Sequence, residues 1–158
     1  MYELTQKNRR QKMTKTQLQQ LKTSFPGDVL EDGSIVLQKS NGLALLVAPA
    51  STQVECKWSP EFPEVFQKLQ EQGFNPSPWF VPTKEQLLLA YKTIPEHFIS
   101  TLYWSNTETE HSTKMSWGIS YYSGTILAFS KESVCDVRAF RSVNYDENED
   151  VLKLLEEN

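Results

Sequence analysis

Apolar residues along the chain change their period several times, and each change marks an element boundary. Across 13–25, MTKTQLQQLKTSF, the residues Met13, Leu18, Leu21 and Phe25 recur near helical spacing with Gln17, and Thr14 or Thr16 stands where an N-cap belongs. This short amphipathic helix needs a surface to cover, in its own domain or on another protein. From 26 to 49 the period shortens to two. Pro26-Gly27 and Asp32-Gly33 are turn pairs, and 34–38 alternates with Ile35 and Leu37 on one face. Asn41-Gly42 then predicts a hairpin into the strand 43–47. That strand is almost wholly apolar, which predicts a central position.

Helical spacing returns at 59–74, where Phe62, Val65, Phe66 and Leu69 form a stripe. Ser59 is the expected cap, Pro60 the expected first-turn residue and Gly73 the expected stop. A second main helix starts at Thr83, which with Gln86 matches a capping box, and Leu87, Leu88, Tyr91 and Ile94 form its apolar face up to Pro95. Strands follow at 100–106, 114–122, 124–131 and 133–143, with Ser123-Gly124 as a hairpin turn. A further short helix is expected around 151–155. Two main helices packed on antiparallel strands, with an extra N-terminal helix, make the predicted class α+β.

Composition narrows the function. The chain has 158 residues, 39% of them hydrophobic, and a mean hydropathy of −0.49. It divides into a basic N-terminal helix (1–25), an α+β domain (26–144) and an acidic tail (145–158). A net charge of −4 and a pI near 5.3 give no basic field for nucleic acid. No apolar run matches a signal peptide or a membrane span, so the expected setting is cytoplasmic without membrane insertion. Signal-independent export or a phage particle are the alternatives. Cys56 and Cys135 are too few for a disulfide scaffold and lack zinc spacing; buried thiols are expected, with one long-range disulfide as the alternative.

The stretches PWFVPTKEQL (78–87), YWSN (103–106) and DVRAFRSV (136–143) resemble a family signature. It is that of the Lcl C-terminal domain family, the C-terminal domain of bacterial collagen-like adhesins. The resemblance spans roughly 27–143 and implies a branch of the C-type-lectin-like fold, found in bacterial surface and phage-associated proteins. Phe80 stands where that family has Arg, Gln86 where it has Glu, and Ala139 where it has Cys. The calcium-sugar motifs Glu-Pro-Asn and Trp-Asn-Asp are absent, so calcium-dependent sugar binding is not implied. Trp79, Pro82 and Thr83 are expected to be structural. Arg138 and Arg141 belong to the same signature, and in a regular strand they face opposite sides unless a bulge intervenes.

Catalytic patterns are sparse. His97 and His111 lack metal-ligand spacing, no Gly-x-Ser-x-Gly elbow or phosphate loop occurs, and Glu55, Glu61, Glu64, Glu108 and Glu110 read as solvated. The polar segment 105–122, flanked by aromatics, is the candidate recognition loop. Its candidate binding residues are Trp104, Asn106, Glu108, His111, Trp117, Tyr121 and Tyr122. Strand alternation turning these aromatics into the core is the competing reading, and Tyr121 and Tyr122 cannot face the same way. The expected function is non-catalytic binding of a protein partner without a cofactor. A carbohydrate- or surface-binding module is the alternative, and a small cysteine-dependent enzyme the second alternative.

Overall fold

Asn41 at φ 52° and Gly42 at φ 78° take the left-handed backbone that a two-residue hairpin turn demands. They join β1 (Ile35–Ser40) to β2 (Leu43–Val47), and this hairpin seeds the first of two sheets. A computed structural model describes residues 13–145. The basic residues 1–12, the acidic tail from 146 and the predicted helix at 151–155 lie outside the described residues.

The first sheet has the order β1-β2-β9-β4, with β4 at Trp79–Phe80 and β9 at Phe140–Asn144, all antiparallel. The second has the order β3-β8-β5-β6-β7. Its strands are β3 (Val54–Cys56), β5 (Leu102–Glu108), β6 (Met115–Ser120), β7 (Thr125–Ser130) and β8 (Cys135–Val137). Among the described residues, only the β5–β8 contact is parallel. With three helices among the described residues, the architecture is α+β.

Helix α1 (Lys15–Thr23) starts at a capping box between Thr14 and Gln17. It covers one face of the first sheet, where Leu18 and Leu21 join Val36, Ala44, Leu46 and Val143. Lys39 Nζ donates to the carbonyl oxygens of Lys22 and Ser24 at 3.0 and 2.9 Å, satisfying acceptors at the helix C-terminus. The sheet's other face, with Ile35, Leu37, Val47 and Phe140, meets α3 (Lys84–Thr93) and the Tyr103 face of the second sheet. Helix α2 (Pro63–Glu71) covers the remaining face of the second sheet through Val65 and Leu69. β2 lies between β1 and β9 and buries residues on both faces, which explains its unbroken apolar run.

Three expectations need correction. The helix predicted from Ser59 begins at Pro63, because Phe62 is held left-handed at φ 44° while its N–H donates to Ser59 Oγ at 3.1 Å. Phe62 is thereby buried edge-on against Trp58 at 5.6 Å. The strand predicted over 133–143 breaks into β8 and β9, which belong to different sheets. The crossover lies at Arg138-Ala139, so Asp136, Arg138 and Arg141 are all buried while Val134 is exposed. The recognition loop predicted over 105–122 shrinks to 109–114, because β5 runs to Glu108 and β6 starts at Met115.

Gly118 shows how tightly the second sheet packs. A Cβ there would lie 2.5 Å from the Tyr103 carbonyl oxygen and 2.6 Å from the Phe129 ring. The carbonyl belongs to the neighbouring strand and has nowhere to move. Gly118→Ala is therefore expected to cost about 1–3 kcal/mol of unfolding free energy, read as a lowered urea midpoint with an unchanged slope.

Candidate functional site

The Tyr-Trp-Ser-Asn run sends consecutive side chains in different directions. Tyr103 enters the core under α3, and Trp104 enters the core under α2 with its Nε1–H donating to the Cys56 carbonyl at 3.0 Å. Beyond Trp104 the strand bulges: Trp104 pairs with Gly118 and Glu108 with Ser116, so three residues face one on β6. Ser105 Oγ donates to the Trp117 carbonyl and accepts from the Thr107 N–H, which holds the bulge shut. Its outward backbone groups dock neighbours. The Asn106 N–H donates to the Pro82 carbonyl at 2.9 Å, and Trp58 Nε1–H donates to the Ser105 carbonyl at 2.8 Å. Thr83, one residue after Pro82, accepts from the Gln86 N–H and caps α3. The bulge therefore fixes where α3 begins.

The other end of α3 shapes a concavity. Between Tyr91 and Lys92, the turn at Pro95–His97, the segment 98–100 and Tyr121 lies a cleft of about 420 Å³. Tyr91, Phe98 and Tyr121 form its floor, and the buried Tyr103 ring packs beneath it. Tyr121 lies 5.2 Å from Tyr91, 5.0 Å from Phe98 and 4.7 Å from Tyr103, and Phe98 meets Tyr103 at 5.5 Å. Tyr121 donates to the Leu87 carbonyl at 2.7 Å, and burial pushes its phenol well above the ordinary range. Ile99, in the cleft wall, is 59% exposed, and Tyr122, next to Tyr121, is 72% exposed.

Arg138 supports this floor from below. Its guanidinium lies 5.0 Å from the Phe98 ring centre. Nε donates to the Ala48 carbonyl at 2.7 Å, and Nη1 donates to Gln53 Oε1 at 3.2 Å and the His97 carbonyl at 3.1 Å. Gln53 Oε1 also accepts from the Tyr103 hydroxyl at 2.9 Å, and that hydroxyl accepts from the Ile99 N–H. Among the described residues no carboxylate lies within ion-pair range of Arg138. Burial lowers its pKa from the usual arginine range, and proximity to Tyr103 and Tyr121 acts in the opposite sense.

The seven candidate binding residues separate into three groups. Trp104 is sealed in the core, and Tyr121 is buried but contributes to the cleft floor. Asn106, Glu108, His111 and Trp117 lie toward the bulge end of the second sheet, and Tyr122 lies at the opposite end, exposed and next in sequence to the cleft residue Tyr121. Glu108 is paired with Lys131 at 3.1 Å, and Lys84 Nζ sits 4.6 Å above Trp117. The cleft residues Phe98, Ile99 and Ser100 were missed. Their signal was two apolar side chains in a six-residue connection, 95–100, where polar residues are usual.

The remaining chemistry is held inside the fold. Cys56 and Cys135 are free, buried thiols beneath α2, and burial pushes both up to about 11. His97 Nε2–H donates to the Gly27 carbonyl at 3.2 Å, beside Phe98 in the other core cluster. Arg141 stacks its guanidinium over Trp79, its cross-strand partner, at 5.9 Å. Among the described residues no group of His, Cys, Asp or Glu side chains is arranged to hold a metal ion, and no helix is long and apolar enough to cross a membrane. No protein-family model matches the chain, and no curated protein matches it.

Two predictions follow from the buried groups. Arg138→Ala removes the donor to the Ala48 and His97 carbonyls and leaves Gln53 Oε1 with the Tyr103 hydroxyl alone, so it is expected to cost about 3 kcal/mol or more in urea unfolding. Arg138→Lys recovers only part of that, because an ammonium lacks the planar fork. For the thiols, a folded pKa near 11 against 9.0 unfolded means their protonated form favours the native state. That contribution is complete below pH 9 and is lost as pH rises toward 11, so the unfolding midpoint of the wild type is expected to fall across this window more steeply than that of a Cys56→Ala/Cys135→Ala variant.

Proposed function

We propose that this protein is a non-catalytic binding module with a C-type-lectin-like fold. It recognises a protein partner by taking an apolar or aromatic side chain into the cleft at the end of α3. The observation that carries this is an aromatic-floored concavity of about 420 Å³ with Ile99 exposed in its wall. Exposed aromatic and aliphatic side chains beside a preformed hollow are the usual anchors of protein recognition. The ring floor is held by hydrogen bonds from Tyr121 and Tyr103, so little ordering is needed on binding.

The fold part rests on how the signature blocks meet. Trp79 pairs across from Arg141, Asn106 docks on Pro82, and Tyr103 neighbours Asp136 on the parallel strand. Three stretches distant in sequence thus form one contact region, as a shared structural signature requires. The relation to the Lcl C-terminal domain family is proposed on that basis. The non-catalytic part rests on the buried thiols, which hold little thiolate and lie in a different core cluster from Phe98 and the adjoining His97. A carbohydrate ligand is the second reading, favoured by the open Tyr122 ring, which can stack on a sugar.

The test is affinity isolation from native extract with the wild type, Ile99→Asp and a 110–113 loop deletion, each confirmed folded by circular dichroism. A stoichiometric protein partner lost with Ile99→Asp and kept by the loop deletion is the expected result. Loss with the loop deletion alone would move the site to the bulge end of the sheet. Glycan-array binding that depends on Tyr122, without a protein partner, would establish the sugar reading instead.

A further inference from the structure

Cys56 and Cys135 stand directly opposite each other on adjacent antiparallel strands, β3 and β8. Side chains at directly opposed positions point to the same face of the sheet, and these two share one core cluster beneath α2. Opposed residues in an antiparallel pair have Cα atoms about 4.5 or 5.5 Å apart, depending on the hydrogen-bonding register. Both separations fall within the roughly 4.4–6.8 Å that a disulfide spans. Ionising Cys135 disfavours ionising Cys56, as expected of neighbouring thiols. β3 is a three-residue strand at the sheet edge, so Cys56 is held by little backbone pairing on its outer side.

We propose that Cys56 and Cys135 are an oxidisable thiol pair, which a small-molecule disulfide converts to a cross-strand disulfide within the folded protein. The Cys56 thiolate attacks the oxidant's sulfur–sulfur bond, releases one small thiol and leaves a mixed disulfide. Cys135 then attacks the Cys56 sulfur and expels the second small thiol. The two protein thiols lose two electrons and two protons, and the oxidant gains both as two thiols. Burial makes the first step slow, because a thiol pKa near 11 leaves about a hundredfold fewer thiolates than a pKa of 9.0. The bond would fasten the segment 53–58 to β8. Gln53 of that segment holds Arg138 and Tyr103, and the Cys56 carbonyl holds Trp104. The pair is thus placed to lock the supports of both cores, independently of what the cleft binds.

The experiment incubates the full chain, without denaturant, in oxidised and reduced glutathione, and follows intact mass and thermal unfolding. The expected product is a monomer lighter by two hydrogens, reversed by a dithiol. Peptide mapping should join Cys56 to Cys135. Closing a loop of about 80 residues should raise the Tm by about 10 °C. Cys135→Ala should stop at a glutathione adduct on Cys56; if that variant does not fold, the wild-type mass, map and Tm decide alone. A persistent wild-type adduct, a linked dimer, no oxidation in buffers that oxidise the unfolded chain, or a lowered Tm would each overturn the proposal.

Discussion

A single buried cation ties the two sheets of this protein together. Arg138 occupies the crossover where the chain leaves β8 for β9. From there its guanidinium reaches the residue after β2 at Ala48, the residue before β3 at Gln53, and the turn after α3 at His97. A charge removed from water without a counter-ion is costly, and here neutral oxygens and a ring face offset part of that cost, while Nη2 is buried without a hydrogen-bond partner among the described residues. Planarity allows this. A guanidinium donates in several in-plane directions while its face lies on Phe98. The three segments it joins are distant in sequence, and one side chain bonds to all of them.

The bulge in β5 makes a complementary join. Its displaced backbone reaches the Pro82 carbonyl and Trp58, which places the start of α3 and the approach to α2 against the same strand. With its N-terminus held at the bulge, α3 carries Tyr91 and the following turn to the far end of the sheet. The aromatic floor then closes between α3 and Tyr121, supported from beneath by the Arg138 network. Scaffold and cleft therefore share their supports, and the cleft is preformed because the fold itself requires those rings to pack.

Local chemistry was read well from the residues alone. The turn at Asn41-Gly42, the capping box at Thr83 and the hairpin at Ser123-Gly124 occur where their residues predict, and of the two threonines read as caps for α1 it is Thr14 that caps. Each depends on contacts within a few residues, so a short window holds all the information. Errors arose where a distant partner decided. Phe62 is driven into a left-handed conformation that delays α2, and the reward is its burial against Trp58. The alternation read across 133–143 assumed one continuous strand. Its charged positions are instead buried, because the chain changes sheets.

The candidate site divides along the same line. Composition and pattern were enough for the α+β class, the aromatic-rich second half and the adjacency of two tyrosines that must face apart. They left open which tyrosine would be inside, because facing is set by strand register, and register by pairing with β7 and packing under α3. The structure turns Tyr121 inward and Tyr122 outward, takes Trp104 into the core, and brings Phe98 and Ile99 from an unremarked connection into the cleft wall. It also sets Cys56 opposite Cys135 across 79 positions of sequence. Turns and caps are short-range free energies and can be read in place. Burial, register and juxtaposition are properties of the assembled chain, and they exist only once distant segments have packed.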